Sequence, residues 1–368
     1  MNSRLQLVYL ILLFTLIFSC VENTSGKKEV NKFEFVSSSK ADTLKFTSGI
    51  RSIFQDSKGN YWFGSLKEGV AVYNGQSFFY LTNSDGLIDN QILSIQEDKE
   101  GVIWFNTQKG VSSYDGKTIK NHTITKSDIS KNSWSSTVKN ISENKWAKTE
   151  NDLWFGAGVK EGVYRYDGEQ INYFAFPSHK TLNPHDNLFA VTCLSKGKDN
   201  LIWIGTYACV FGYNGSDFTI INDETLGLDR KVEPLHIRSL LEDSKGRLWI
   251  GNNGIGVLLK EGKSIINFSE ENNLIHPTSG RKGDKSLPGT LEHVFIIAED
   301  SQGNIWFGDR DAGIWKYDGE TMVNYTMKDG LTSDFALSIF EDKNEKLWFG
   351  MANGSVYHFN GKEFQKQF

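Results

Sequence analysis

Tryptophan recurs along this chain at a spacing that leaves few folds open. Trp62, Trp104, Trp154, Trp203, Trp249, Trp306 and Trp348 each precede an aromatic residue or Ile and then, in most cases, Gly. They stand 42 to 57 residues apart. Seven such units occupy the chain from about residue 49 to its end. A period of this length marks a repeat architecture, in which each unit buries its flanks against its neighbours.

Within the first unit, Ile50 to Phe54 reads as an apolar strand and is followed by the polar turn Asp56 to Asn60. Tyr61-Trp62-Phe63-Gly64, Val70 to Tyr73 and Phe78 to Leu81 read as three further strands. Asn74-Gly75 separates the last two, and the other units repeat it as Asp115-Gly116, Asp167-Gly168, Asn214-Gly215, Glu261-Gly262, Asp318-Gly319 and Asn360-Gly361. Asn-Gly and Asp-Gly between strand-like runs predict tight type I′ hairpins. Four short strands per unit predict an all-β, seven-bladed β-propeller with four antiparallel strands per blade. Helical periodicity is absent, and a β-solenoid would need shorter coils. The tryptophans are expected to pack between blades and to carry no chemistry. Blades are expected at about 49–90, 91–134, 135–186, 187–235, 236–292, 293–335 and 336–368. Phe33 to Val36 and Phe364 to Phe368 both read as strands that could complete blade seven, with the N-terminal one favoured for adding to or bracing it.

The pattern Ile-x-x-Ile-x-x-Asp-x-x-Gly-x-x-Trp-Phe-Gly, followed by Gly-Val-x-x-Tyr-x-Gly and Asp-Gly-Leu, resembles the two component regulator propeller repeat. Ile53 to Gly64 and Ile297 to Gly308 carry it, as do Asp85-Gly86-Leu87 and Asp329-Gly330-Leu331. The third and fourth units depart from it, with Lys148 and Gly197 where the turn Asp is expected. The resemblance implies a periplasmic sensor propeller of Bacteroidetes type, which faces glycans and signals through a membrane helix to a kinase. No second apolar span, kinase or DNA-binding region is legible here, so this chain is expected not to phosphorylate anything itself.

Arg4 and the apolar run Leu5 to Phe18, ending at Ser19-Cys20, have the layout of a secretory signal, 1–19. Ile17-Phe18-Ser19-Cys20 resembles a bacterial lipobox. Cys20 would then carry lipid, 20–32 would be a tether and 33–368 the propeller. The expected location is the periplasmic or cell-surface face of a membrane. Cys193 and Cys209 lie in apolar runs that suit buried thiols, with a disulfide as the alternative. A net charge of −5 supplies no basic field, so nucleic acid is not an expected partner. The expected partners are a glycan or an envelope protein, besides the membrane itself.

In a propeller the loops between second and third strands share a face with the blade connections. The long connections Ala175 to Asn187, with His185, and His276 to Glu292, with Arg281, open there. His236 and His293 each lie seven residues before their turn aspartates, so they occupy equivalent places in adjacent blades. Two imidazoles there could hydrogen-bond a sugar, act as acid and base, or simply be satisfied structurally. Tyr207, Asn252, Asn253, Arg310 and Asp311 share the rim, and Arg310 could clamp a carboxylate or pair with Asp311. A third metal ligand is not apparent, and the turn aspartates lack calcium-loop spacing, so neither metal nor cofactor is expected. The turn aspartates should instead bond nearby backbone amides. No nucleophile elbow, zinc helix or phosphate loop is present. The leading expectation is a non-catalytic binding lipoprotein. The alternatives are a lyase or hydrolase using His236 and His293, and a structural module of a secretion or uptake assembly.

Overall fold

The computed structural model describes residues 40–122, 151–158, 161–174, 176, 189–199, 201–215, 218–229, 235–281 and 284–368. The chain divides into Met1–Glu34 and Phe35–Phe368, and every described residue lies in the second unit. The signal segment, Cys20, the tether, Phe33 to Val36 and His185 lie outside the described residues.

Seven antiparallel sheets follow one another, each with its blade's strands in sequence order. The first blade contains Ile50–Gln55, Tyr61–Ser65, Val70–Tyr73 and Phe78–Leu81, and the short strand Lys40–Ala41 pairs onto its outer edge. Three strands of the third blade are described, Leu153–Gly156, Val163–Tyr166 and Ile171–Phe174. Blade seven has four strands of its own, the outermost being Phe364–Gln367. Its first strand, Ala336–Glu341, packs on Ile50–Gln55 of blade one, and this contact closes the ring.

The repeat motif can be read as a list of fixed contacts. In five blades the turn aspartate accepts two backbone N–H groups through one oxygen and the indole N–H of the tryptophan six residues on through the other. Asp300, for example, takes Gln302 N at 3.1 Å, Asn304 N at 2.8 Å and Trp306 Nε1 at 2.8 Å. Asp56, Asp98, Asp243 and Asp342 do the same for Trp62, Trp104, Trp249 and Trp348. The backbone bonds match expectation, and the indole bond is an addition to it. Where Gly197 replaces the aspartate, Trp203 Nε1 turns to Glu242 of the next blade at 2.5 Å. Trp154 Nε1, in the unit with Lys148, has no partner among the described residues.

Five of the tryptophans pack on aromatics of the following blade, whereas Trp203 packs on the aliphatic Ile237, Leu248, Ile250 and Leu258. Trp62 meets Phe105 and Tyr114, Trp249 meets Phe307 and Tyr317, and Trp348 meets Tyr61 across the closure. The glycine after the motif's aromatic residue answers to close approach. A methyl group on Gly64, Gly251 or Gly350 would strike Ile92, Val294 or Ile50 on the first strand of the next blade. A second set of bonds runs around the ring at the same level. Glu97 accepts from Ser57, Glu299 from Ser244, and Glu341 from Ser301, in each case from both the backbone N–H and the hydroxyl. At the closure Gln55 accepts from Lys343 N at 3.0 Å, so blade seven joins blade one as its neighbours join each other.

The hairpins between third and fourth strands differ from expectation. Type I′ needs positive φ at both central residues, yet Asn74, Asp115, Asp167, Asp318 and Asn360 are not among the residues with positive φ. The loops are longer, as the pairings Tyr73↔Phe78 and Tyr114↔Ile119 show. The Asx side chain accepts two backbone N–H groups, as Asp115 Oδ1 does from Lys117 and Thr118, both at 2.8 Å. Only the following glycine turns left-handed. The tyrosine of Tyr-x-Gly caps this loop by donating to the glycine carbonyl, Tyr114 OH to Gly116 O at 2.9 Å.

Cys193 and Cys209 are free thiols on the first and third strands of blade four. Burial pushes both thiol pKa values up to about 12. Among the described residues no helix is long and apolar enough to cross a membrane.

Candidate functional site

In five blades the loop after the second strand is tied to the start of the blade's own first strand. Asn253 N donates to His236 O and Arg310 N to His293 O, both at 2.9 Å. The loops and the blade connections therefore meet at one face, as expected. The backbones of Asn253 and His293 also bridge across the junction of blades five and six.

Asn253 is the centre of the resulting cluster. Its amide nitrogen lies 3.2 Å from His236 Nδ1, and its amide oxygen accepts from Arg310 Nη1 at 3.4 Å. Tyr207 of blade four packs edge-on against the His236 ring at 4.9 Å. Burial, followed by the charges of Arg238, His293 and Arg310, pulls the His236 pKa down to about 4. Its Nε2 is buried with no partner. His236 is therefore a neutral imidazole at pH 7, held at one nitrogen with the other unused.

Arg310 resolves between its two expected roles. It pairs with Asp311 at 2.6 Å and donates to the Asp284 carbonyl, also at 2.6 Å. Asp311 in turn accepts from Ser286 N at 3.1 Å. The long connection after blade five is thus fastened to the rim of blade six. Asp309 takes no part in that ion pair. It is fully buried and accepts from the backbones of Glu292, His293, Asp311 and Ala312. Burial pushes its pKa up to about 7 against the pull of those N–H groups.

The structure places His236, Tyr207, Asn253, Arg310 and Asp311 together, with His293 buried and Arg281 paired to Glu270. His293 is 0% exposed, and the Asp284 backbone is the hydrogen-bonding group nearest its ring. Burial and Arg310 lower its pKa. It lies beneath the surface, and the connection after blade five is fastened beside it through Asp284 and Ser286. Arg281 pairs with Glu270 at 3.0 Å, away from the Asn253 cluster. Asn252, also 0% exposed, ends its strand with both amide atoms unpartnered. Ser65, Thr107 and Thr206, at the same slot in other blades, spend their hydroxyls on loop backbone. Among the described residues no group of three or more His, Cys, Asp or Glu side chains is placed to hold a metal ion.

Two further residues, Arg238 and Phe295, border the site. The first strand bulges at its second residue in each of the six blades where that strand is described. Those residues are Arg51, Leu93, Thr192, Arg238, Phe295 and Leu337. The Arg238 guanidinium lies 5.0 Å from the Tyr207 ring centroid and 4.8 Å from that of Phe295. The signal for Arg238 and Phe295 was the residue after each strand's opening aliphatic, a slot that the sequence reading passed over.

The sequence profile described as "Two component regulator propeller" matches residues 45–67, 86–109, 232–254 and 289–311. No curated protein matches the chain in sequence. Among solved structures, the chain is similar to the extracellular domain of a putative hybrid two component system from B. thetaiotaomicron, at 21% identity and TM-score 0.59. That match covers 85% of this chain and 39% of the other, so the chain spans well under half of that domain. Virginiamycin B lyase from Staphylococcus aureus matches at 15% identity and TM-score 0.59, over 86% of this chain and 97% of the lyase. PorZ, an essential surface component of the type-IX secretion system of Porphyromonas gingivalis, matches at 16% identity and TM-score 0.57, over 86% and 47%. These likenesses carry the fold alone. Together with the matched segments they make the chain a seven-bladed β-propeller that carries two component regulator propeller repeats.

Proposed function

We infer that this chain is an exported, non-catalytic recognition module, held at a membrane by lipid on Cys20. It takes a glycan or a protein partner at the mouth formed by blades four to six. The observation that carries the reading is the cluster around Asn253. Tyr207 gives a half-buried aromatic ring, and the Asn253 amide is held beside it between His236 and Arg310. Aromatic faces beside fixed amide and imidazole groups suit polyhydroxylated ligands. Likeness to sensor extracellular domains supports the same reading by analogy of fold.

The test is a glycan array followed by titration calorimetry on the mature domain, with Asn253→Ala as control. Binding that weakens about tenfold in the variant, the worth of roughly one well-placed hydrogen bond, is expected. Binding unchanged by the substitution, or turnover of a bound compound, would defeat the proposal. Lipidation is tested separately, because Cys20→Ala should move the protein from the membrane to the soluble fraction.

Likeness to a lyase along nearly its whole length, and the neighbouring histidines, favour a second reading as an acid–base enzyme. It requires His293 to reach a substrate, and the burial of that ring counts against it.

A further inference from the structure

In three blades a cation of this chain lies over the repeat's own tryptophan. Arg165 stands 5.7 Å from the centre of the Trp154 ring, Arg247 5.0 Å from Trp249 and Lys316 5.5 Å from Trp306. Arg165 and Lys316 share one structural position, the third-strand residue paired with the tryptophan. In blade two that residue, paired with Trp104, is Ser113. Serine is too short to cross the indole, and its hydroxyl is engaged with His122 Nε2 at 3.0 Å.

The side chain wedged between the blades differs at this junction as well. The fourth-strand residue opposite the start of the third strand is Leu81, Phe174, Ile221 or Tyr325 in blades one, three, four and six. In blade two it is His122, whose ring stacks on Trp104 at 5.0 Å. Burial and then Lys120 lower its pKa, so the imidazole is neutral at pH 7. A groove of about 490 Å³ opens here between blades two and three. That volume falls in the range of small-molecule sites, roughly 300–1,000 Å³. Trp104, His122 and Tyr166 line it, with Tyr166 4.4 Å from Trp104. Asp98, Asp115 and Glu169 line it too, against a single cation among the described residues, the exposed Lys120. Burial, followed by the charges of Asp98, Asp167, Glu100 and Glu169, raises the Tyr166 pKa. The groove is therefore aromatic and electronegative, and it lies at the ends of the strands away from the mouth.

We propose that the groove between blades two and three binds a small organic cation, whose alkylammonium or guanidinium head takes the role that Arg165 and Lys316 fill in their own blades. Ring quadrupoles attract such heads, and neighbouring carboxylates complement their charge. The site is separate from the mouth and does not rest on recognition there.

Titration calorimetry of the mature domain in dilute buffer tests it, with agmatine, putrescine and butanediol, the neutral counterpart of putrescine. Agmatine and putrescine should bind, and butanediol should not. Ser113→Lys returns a cation of the chain to the position of Lys316, so it should weaken binding about tenfold. Glu169→Gln changes an exposed side chain and should weaken binding about threefold, the worth of one exposed charge pair. No cation binding by the native protein, equal binding of butanediol, or affinities unchanged in both variants would overturn the proposal.

Discussion

The single residues that hold this ring are the turn aspartates, because each satisfies both a loop and the indole buried against the next blade. Asp300→Ala leaves the Trp306 N–H and the Asn304 amide without their acceptor. An unsatisfied buried donor costs about 1–3 kcal/mol, and the bonds from Gln302 N and Asn304 N are lost along with these two. Urea denaturation should therefore show a loss of about 2–4 kcal/mol, and a loss below about 0.5 kcal/mol, the surface-substitution range, would contradict this account of the motif. His236 gives a pH dependence of definite sign. Its folded pKa near 4 lies below the ordinary imidazole value of about 6.5. As pH falls the unfolded chain takes up the proton first, so stability complete above about pH 6.5 is lost progressively toward pH 4. Asp309 works in the opposite direction, since its pKa is raised on folding. The stability difference between native protein and His236→Gln at each pH isolates the histidine. That difference should narrow as pH falls from neutrality to 4, and a constant difference would rule the assignment out.

Blades repeat because their contacts repeat, and this is why so much of the fold was legible. Trp62-Phe63-Gly64 encodes a buried indole, a core ring and a glycine that admits Ile92, and all three requirements recur with the period. Asp85-Gly86-Leu87 is equally readable in physical terms. Asp85 caps back onto Thr82, Gly86 takes φ 111°, and Leu87 is buried. The Asn-Gly and Asp-Gly hairpins misled because a side-chain Asx cap and a type I′ turn select the same dipeptide. The glutamates between blades were passed over because they look like ordinary solvent-facing charges. They are specific bonds, and Glu299→Ala should free Ser244 and lower stability by about 0.5–1.5 kcal/mol, since both bonds are exposed. Native-state hydrogen exchange should show the effect first at the junction of blades five and six, and an effect spread evenly over all blades would contradict it.

On the scale of the whole molecule the described blades repeat one plan, with departures at the indole bonds of Trp154 and Trp203 and at the rim of blades four to six. Closure uses the ordinary junction, with Gln55 and Lys343 in the roles of clamp and turn. Phe368 is added to it, lying against Phe78 at 4.8 Å and Tyr73 at 5.0 Å. The departure at the rim gathers where blades four to six meet. Asn253, Tyr207 and His236 were legible there because loop positions can be counted from the tryptophan. The burial of His293 was not, because it depends on how the 276–292 connection folds back through Arg310 and Asp284. Arg238 was hidden because its packing against Tyr207 and Phe295 joins three successive blades. The most direct test of recognition at this mouth is hydrogen exchange on the mature domain with and without the tightest-binding oligosaccharide from the array. Slowed exchange confined to the segments around Tyr207, His236, 252–256 and 309–312 is the predicted result. Protection at the outer strands, or at the corresponding loops of blades one, two and seven, would contradict it.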